Sequence, residues 1–334
     1  MIKLGLVGTH WITAQFAQAA IESQGFIISA VYSRSKETAD DFIKQIGQPA
    51  AAFDNFDAFL DSGIQAVYLA SPNSFHFRHA QSALKHGLDI IVEKPSFSNT
   101  HEFQEIMKLL AENPERRFFE AARNDHDPIF KIIKDKITDL KTIQGANLVY
   151  ANYSSRYDQY LADPLHAPNV FTRKFSGGAL YDLGVYPLYD AIGWFGYPDK
   201  AVYHPRLLEN GIDGSGIISL DYAAFTVNIL ISKIFTSSAP SEVFGLKDRL
   251  LIDSPSELNR VELIDGQGHH EQLALGTEQN PLLAEARDFA RILSDRHSEA
   301  NLVEYENWLV TASQINQLMF DLREGAGIHF AADD

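Results

Sequence analysis

Three stretches of this sequence carry residues that could do chemistry: two hold side chains suited to moving a proton, and the third has the form of a nucleotide-binding turn. The first is Ile90-Ile91-Val92-Glu93-Lys94-Pro95. An apolar run ending in a carboxylate, an amine and a proline reads as a buried parallel strand that delivers polar groups at its carboxyl end. In an open α/β sheet the crevice beyond such strand ends is where ligands bind. An amine there can hold a substrate hydroxyl, and partial burial brings a lysine toward the range useful for proton transfer. Taken alone, the same residues also fit a solvated Glu–Lys pair. The second stretch is Ser176-Gly177-Gly178-Ala179-Leu180-Tyr181-Asp182-Leu183-Gly184-Val185-Tyr186. A helix opening at Gly177-Gly178 places Asp182 and Tyr186 four apart, on one face. A carboxylate beside a phenol and an amine is a proton-handling set, because a neighbouring ammonium lowers a phenol from its ordinary pKa of about 10. Read more plainly, Tyr181, Tyr186 and Tyr189 are packing residues of an amphipathic helix.

The third stretch, Gly8-Thr9-His10-Trp11-Ile12-Thr13, follows an apolar strand at once. A dinucleotide fingerprint, Gly-x-Gly-x-x-Gly/Ala, uses its glycines for a tight turn, close approach to the pyrophosphate, and helix–strand packing. Its three positions here are Gly8, His10 and Thr13, so only the first glycine is kept, and the fragment also fits an ordinary strand-to-helix turn. A side chain at His10 would either crowd the pyrophosphate or swing aside and set its imidazole against the phosphate oxygens. The next strand ends in Ser33-Arg34-Ser35 without an acid. NAD sites normally place Asp or Glu there for the ribose hydroxyls, whereas NADP sites drop it and supply an arginine. Arg34 suits a 2′-phosphate gripped bidentately, with the serine hydroxyls as further donors; as one residue it equally fits a solvated loop arginine. His76 and His79, three apart on one helix, have a spacing a metal could use. No third ligand accompanies them, so they read as helix-surface and cofactor-edge residues, and no metal is expected. His269-His270 reads as solvated, just past a hairpin turn.

The elements that must hold these groups follow from the hydrophobic pattern. Strands at Ile2–Val7, Phe26–Tyr32, Phe53, Ile64–Ala70, Ile90–Glu93 and Arg117–Ala121 alternate with helical patterns that begin at Ile12, carry Ala39, Phe42, Ile43 and Ile46 inward, and span 56–60 and 75–86. Gly47 and Gly87 stand at helix ends, and Asn99 or Thr100 caps a helix before Glu102. That alternation predicts a parallel, doubly wound sheet. After about residue 122 the rhythm changes. A helix at 128–136 leads to a strand at 145–153, a polar loop to Phe175, and the Gly-Gly helix start. Strands then fall at 216–222, 224–234, 250–252, 260–264 and 271–274, with Asp265-Gly266-Gln267-Gly268 as a hairpin turn. Helices at 281–293 and 307–323 close the chain. The expected division is a Rossmann domain over 1–122 and an α+β domain with a large, mostly antiparallel open sheet over 123–334.

Composition bounds the function. The 334 residues are enough for two cores, and 22% charged residues is ordinary for a globular chain. A formal net charge of −16 argues against general affinity for nucleic acid or an anionic membrane. The absence of cysteine removes disulfides, thiolate metal sites and cysteine nucleophiles. No signal-peptide pattern and no apolar run of the ~20 residues a membrane span needs is seen, so a cytoplasmic protein is expected.

Together these residues resemble one family, the Gfo/Idh/MocA oxidoreductases. The Glu-Lys-Pro strand end, Ser71-Pro72-Asn73 with His76, Gly-Gly-x-Leu-x-Asp-x-Gly-x-Tyr at Gly177–Tyr186, and Gly-Ile-x-Phe at Gly327–Phe330 match its motifs in order. The resemblance implies NAD or NADP in the first domain and a sugar, cyclitol or related alcohol as substrate. It also implies a dimer or tetramer through the second domain's sheet, and a cis Lys94-Pro95 bond. By position, Lys94 would contact the reacting oxygen, Asp182 would orient it and Tyr186 would be the acid/base, as in the glucose-fructose oxidoreductase and dihydrodiol/xylose dehydrogenase branch. Gly8, Thr9, His10, Trp11, Ile12, Ser33, Arg34, Ser71, Pro72, Asn73, His76, Glu93, Lys94 and Arg123 would meet the cofactor, NADP in preference to NAD. Substrate contacts would come from Arg123–His126 and the loop 153–174. The expected activity is hydride transfer between nicotinamide and a sugar-like alcohol or carbonyl. The rival is a non-catalytic regulatory protein on the same fold that binds NADP or a sugar.

Overall fold

A computed structural model describes residues 1–140, 142–276 and 279–334. The chain forms two compact units: Met1–Ala121 with Glu278–Ser313, and Ala122–Thr277 with Gln314–Asp334.

The first unit holds β1 (Ile2–Val7), α1 (Trp11–Glu22), β2 (Phe26–Tyr32), α2 (Lys36–Ile46), β3 (Ala51–Phe53), α3 (Phe56–Leu60), β4 (Ala66–Leu69), α4 (His76–Lys85), β5 (Asp89–Glu93), α5 (Thr100–Glu112) and β6 (Phe118–Ala121). All six strands are parallel in the order β3-β2-β1-β4-β5-β6, the expected doubly wound sheet. Both faces of such a sheet are covered, so its inner strands are buried without alternation. In β4, Ala66 and Tyr68 enter the core shared with Phe16 and Phe289, while Val67 and Leu69 enter the opposite core with Ala80 and Ile106. Gly47 ends α2 at φ +64°, and Asn99 caps α5 by accepting from the Glu102 amide at 2.9 Å.

The segment after 278 differs from the expected division, which gave everything beyond 122 to the second domain. It supplies a helix to the first unit: Ala286, Phe289 and Ala290 are buried in the same core as α1. Phe289 meets Phe119 at 4.7 Å between centroids, and the Arg296 guanidinium grips the buried Asp89 carboxylate at 3.2 and 3.0 Å. The apolar faces of these helices were legible, but not which core they cover.

The second unit holds α6 (Arg123–His126), α7 (Pro128–Asp139), β7 (Gly145–Ala151), α8 (Tyr157–Ala162), α9 (Val185–Phe195) and seven further strands. These are β8 (Lys200–Leu207), β9 (Asp213–Asp221), β10 (Thr226–Ser232), β11 (Ser241–Phe244), β12 (Arg249–Ile252), β13 (Arg260–Ile264) and β14 (His270–Leu275). The remaining helices are α10 (Leu283–Ser294), in the first unit, and α11 (Glu299–Gly325), whose residues from 314 on belong to the second. The sheet order is β14-β13-β12-β11-β7-β10-β9-β8, antiparallel apart from the β7–β10 pair. Val227, Ile229 and Ile231 face the core with Leu188 and Ile192 of α9, while Asn147, Ile217 and Asn228 lie exposed. Two expectations are corrected here. The stretch 153–175 is not a plain loop but contains α8 and three 3-10 turns. The Gly-Gly segment does not open an α-helix directly: a π-helical turn, Leu180–Gly184, precedes α9.

Candidate functional site

Apart from Arg123, which lies in the second unit, the residues expected at the nucleotide lie at or just beyond the carboxyl ends of strands in the first unit. The order reverses between β1 and β4, which makes their ends the topological switch point where dinucleotides bind. Gly8 has φ +104°, and a Cβ there would stand 2.7 Å from the Ala70 carbonyl oxygen, so the turn after β1 passes the end of β4 too closely for any side chain. His10 is the N-cap of α1 in extended backbone (φ −93°, ψ 177°), a conformation open to any residue. Its side chain makes no cap hydrogen bond, and the first turn of α1 has no acid. Helices α2, α3 and α5 by contrast are capped by Ser35, Asn55 and Asn99. Helices α4 and α10 also lack a side-chain cap, but α1 opens at the β1/β4 switch point, where its leading N–H groups would suit an anion such as a pyrophosphate. The hydroxyl of Thr13 beneath Gly8 is buried without a hydrogen-bond partner among the described residues. Trp11 is 71% exposed, Ile12 is half-buried, and Arg34 is exposed beyond β2. These features fit a dinucleotide.

The ends of β4 and β5 are tied together by a histidine. His76 is 1% exposed, with Nε2 at 2.7 Å from the Ser71 carbonyl oxygen and Nδ1 at 3.1 Å from that of Pro95. Burial pulls its pKa down to about 4 against the two carbonyls, which favour the charged ring. His79, whose Nδ1 lies 3.0 Å from Ser71 Oγ, is likewise lowered by burial to about 4. The helix-surface reading of both residues is therefore corrected: they are interior residues that fix the Ser71-Pro72-Asn73 segment. Glu93 is buried and accepts a hydrogen bond from Tyr68, whose ring stacks on Phe16 at 3.8 Å. Lys94 is half-buried, and its bond to Pro95 is cis. Beyond it the Ser96 amide donates to the buried Glu120 carboxylate at 2.8 Å.

In the second unit the Gly177-Gly178 pair is explained by close contact. A Cβ on Gly177 would meet the Val170 carbonyl at 2.7 Å. The π turn that follows carries Asp182, whose Oδ2 is 2.6 Å from Nζ of Lys233. Tyr186, on the first turn of α9, packs edge-to-face on Tyr150 at 5.5 Å, with the Arg123 guanidinium 5.5 Å from its ring centroid. Arg123, expected at the cofactor, pairs with Glu257 at 3.0 Å. The amide of Asn124 donates to the Tyr186 carbonyl (3.1 Å) and to Asp190 Oδ1 (2.8 Å), fixing α6 against α9. Burial raises Asp190 well above the usual carboxylate range. Lys233, Tyr68 and Asp190 were missed in the sequence, while Asn124 was expected only as part of the substrate-contacting stretch Arg123–His126. One of them left a trace: Lys233 continues the inward-facing parity of Val227, Ile229 and Ile231, where a charge is out of place.

Comparison with known proteins agrees with this geometry. The family described as "Oxidoreductase family, NAD-binding Rossmann fold" (GFO_IDH_MocA) matches residues 2–120. The chain is 32% identical over 333 residues to scyllo-inositol 2-dehydrogenase (NADP(+)) of Bacillus subtilis, covering 100% of this chain and 99% of that protein. It is 34% identical over 334 residues to an uncharacterized oxidoreductase of Escherichia coli, again covering 100% and 99%. Its fold is that of a 3-ketoreductase from Actinomadura kijaniata solved with NADP and TDP-benzene, at a TM-score of 0.81 and 19% identity over 98% of this chain and 99% of that one. With end-to-end identity of this order beneath a shared fold, the chain belongs to the Gfo/Idh/MocA family of nicotinamide-dependent oxidoreductases.

Proposed function

We propose that this protein is an NADP-preferring dehydrogenase or reductase acting on a secondary alcohol or carbonyl of a cyclitol or sugar. The observation that carries the reading is that Lys94, Asp182 and Tyr186 are all present, each on a buried support, in a chain matching a scyllo-inositol dehydrogenase from end to end. Bound nicotinamide supplies or takes up the hydride. The Lys94 ammonium stabilises negative charge on the substrate oxygen, Asp182 orients that oxygen, and Tyr186 gives or receives its proton. Gly8, Thr9, His10 and the start of α1 take the pyrophosphate, Ser71, Pro72, Asn73 and Glu93 line the nicotinamide side, and Arg34 takes the 2′-phosphate.

The test is steady-state turnover of Lys94→Ala and Tyr186→Phe beside NADPH affinity. Removing a group that acts on developing charge costs roughly 10²–10³ in kcat, and cofactor affinity should stay near wild type. Wild-type turnover in either variant removes that residue from the reaction. His10 and Thr13, the departures from the fingerprint, favour the second reading, a regulatory protein that binds NADP without turning it over. NADPH binding with no turnover across cyclitols, aldoses and diols would select it. The exposed face of the second unit's sheet, with Ile217 and the half-buried Leu230, supports self-association, and light scattering at a monomer mass would contradict that.

A further inference from the structure

We propose that Lys233 is a positioning residue for the reaction, holding the Asp182 carboxylate in place and linking it to the loop at Val170. The inference rests on the role given above to Asp182. Lys233 follows β10 directly and its side chain is 2% exposed. Its Nζ lies 2.6 Å from Asp182 Oδ2 and 2.7 Å from the Val170 carbonyl oxygen, and 4.5 Å from the centroid of the Phe171 ring. Two of the three ammonium N–H groups are thereby directed, and the aromatic face takes part of the charge. Burying an ammonium is costly, and a methionine or leucine would fill the same space without that cost, so packing does not account for a lysine here.

A second carboxylate, Asp213, also feels the charge of Lys233. Its Oδ2 is taken up by the Leu180 amide and the Tyr203 hydroxyl, both at 2.7 Å. Asp182 is the carboxylate with which Lys233 forms its ion pair. The Val170 carbonyl oxygen accepts at the same time from the Gly178 amide at 3.0 Å. One carbonyl thus joins three things: the loop at 169–171, the amide that leads into the π turn, and the ammonium that grips Asp182. A shift of this loop, which belongs to the segment expected to contact substrate, would be passed to the carboxylate through Lys233.

The experiment is a double-mutant cycle on kcat, with KM for the polyol and NADPH affinity measured beside it. Lys233→Met should lower kcat about 10–100-fold, the scale of a slightly misplaced group at a reacting centre, and leave NADPH affinity unchanged. In an Asp182→Asn background the same change should add little, because the residue acts through Asp182. Should Lys233→Met not fold, Lys233→Gln takes its place in the cycle: it keeps a donor for Val170 but ends the ion pair. A wild-type kcat for the Lys233 variant, or losses that multiply in the double variant, would overturn the proposal. A wild-type kcat for Asp182→Asn alone would instead remove Asp182 from the reaction, and the role of Lys233 with it.

Discussion

Gly178 is glycine because Asp213 occupies the space a side chain would need. A Cβ at residue 178 would stand 2.0 Å from Asp213 Oδ1, and the residue sits at φ +101°. Asp213 is buried beneath the π turn, where it receives the Leu180 amide and the Tyr203 hydroxyl. The Gly-Gly motif is therefore a seat for the helix that bears Asp182 and Tyr186, rather than a flexible joint.

Gly178→Ala must push this carboxylate aside and adopt a left-handed backbone. The expected loss is roughly 2–4 kcal/mol, combining overpacking with strain at positive φ. Chemical denaturation measures it. A loss within ~0.5 kcal/mol, the range of an ordinary surface change, would show that Asp213 can move without cost.

Buried groups in the two units should give opposite slopes of stability against pH. His76 and His79 are lowered to about 4, so the unfolded chain, with histidines near ~6.5, takes up protons first. Stability then falls as pH drops from about 6.5 toward 4. His79→Phe, beside the Phe56 ring at 4.6 Å, keeps the packing and should make this acid loss shallower. Asp190 is the reverse case: its folded pKa is raised, so its contribution is present at low pH and lost as pH rises past the unfolded carboxylate value of ~3.9. Asp190→Asn should be more stable than the parent at pH ~8, where a carboxylate's reference form is charged. Thermal denaturation across pH checks both; parallel curves for parent and variant would refute the assignment concerned.

Arg34→Ala should weaken NADPH far more than NADH, because only NADPH carries the 2′-phosphate. A charge-assisted contact of this kind is worth roughly 1.5–3 kcal/mol, about 10–100-fold in affinity. Fluorescence titration with both cofactors decides it, and equal weakening of the two would leave Arg34 a solvated loop residue.

Much of the first unit was legible because a buried parallel sheet writes itself as apolar runs punctuated by capping residues. Gly8, Gly47, Asn99 and the Glu93-Lys94 strand end all stand where the pattern placed them. The losses came where local pattern carries little signal. β8 contains Pro205 and lies at the sheet edge, and β11 is four residues long, so neither alternates for long enough to be seen. A π turn has no sequence signature distinct from an α-helix. The supports of the candidate site were hidden for another reason: Lys233 with Asp182, Tyr68 with Glu93 and Asn124 with Asp190 join residues 25 to 66 apart in sequence. Only folding reveals such partners.

The central claim is tested most directly by mixing the protein with NADP⁺ or NAD⁺ against a panel of cyclitols, aldoses and diols, and following the appearance of reduced nicotinamide. Turnover of at least one cyclitol or sugar is expected, with kcat/KM for NADP⁺ at least about tenfold above NAD⁺, the factor given by ~1.4 kcal/mol of cofactor discrimination, and with turnover largely lost in Tyr186→Phe. Binding of NADPH without reduction of NADP⁺ by any member of the panel would contradict the account and leave the regulatory reading in its place.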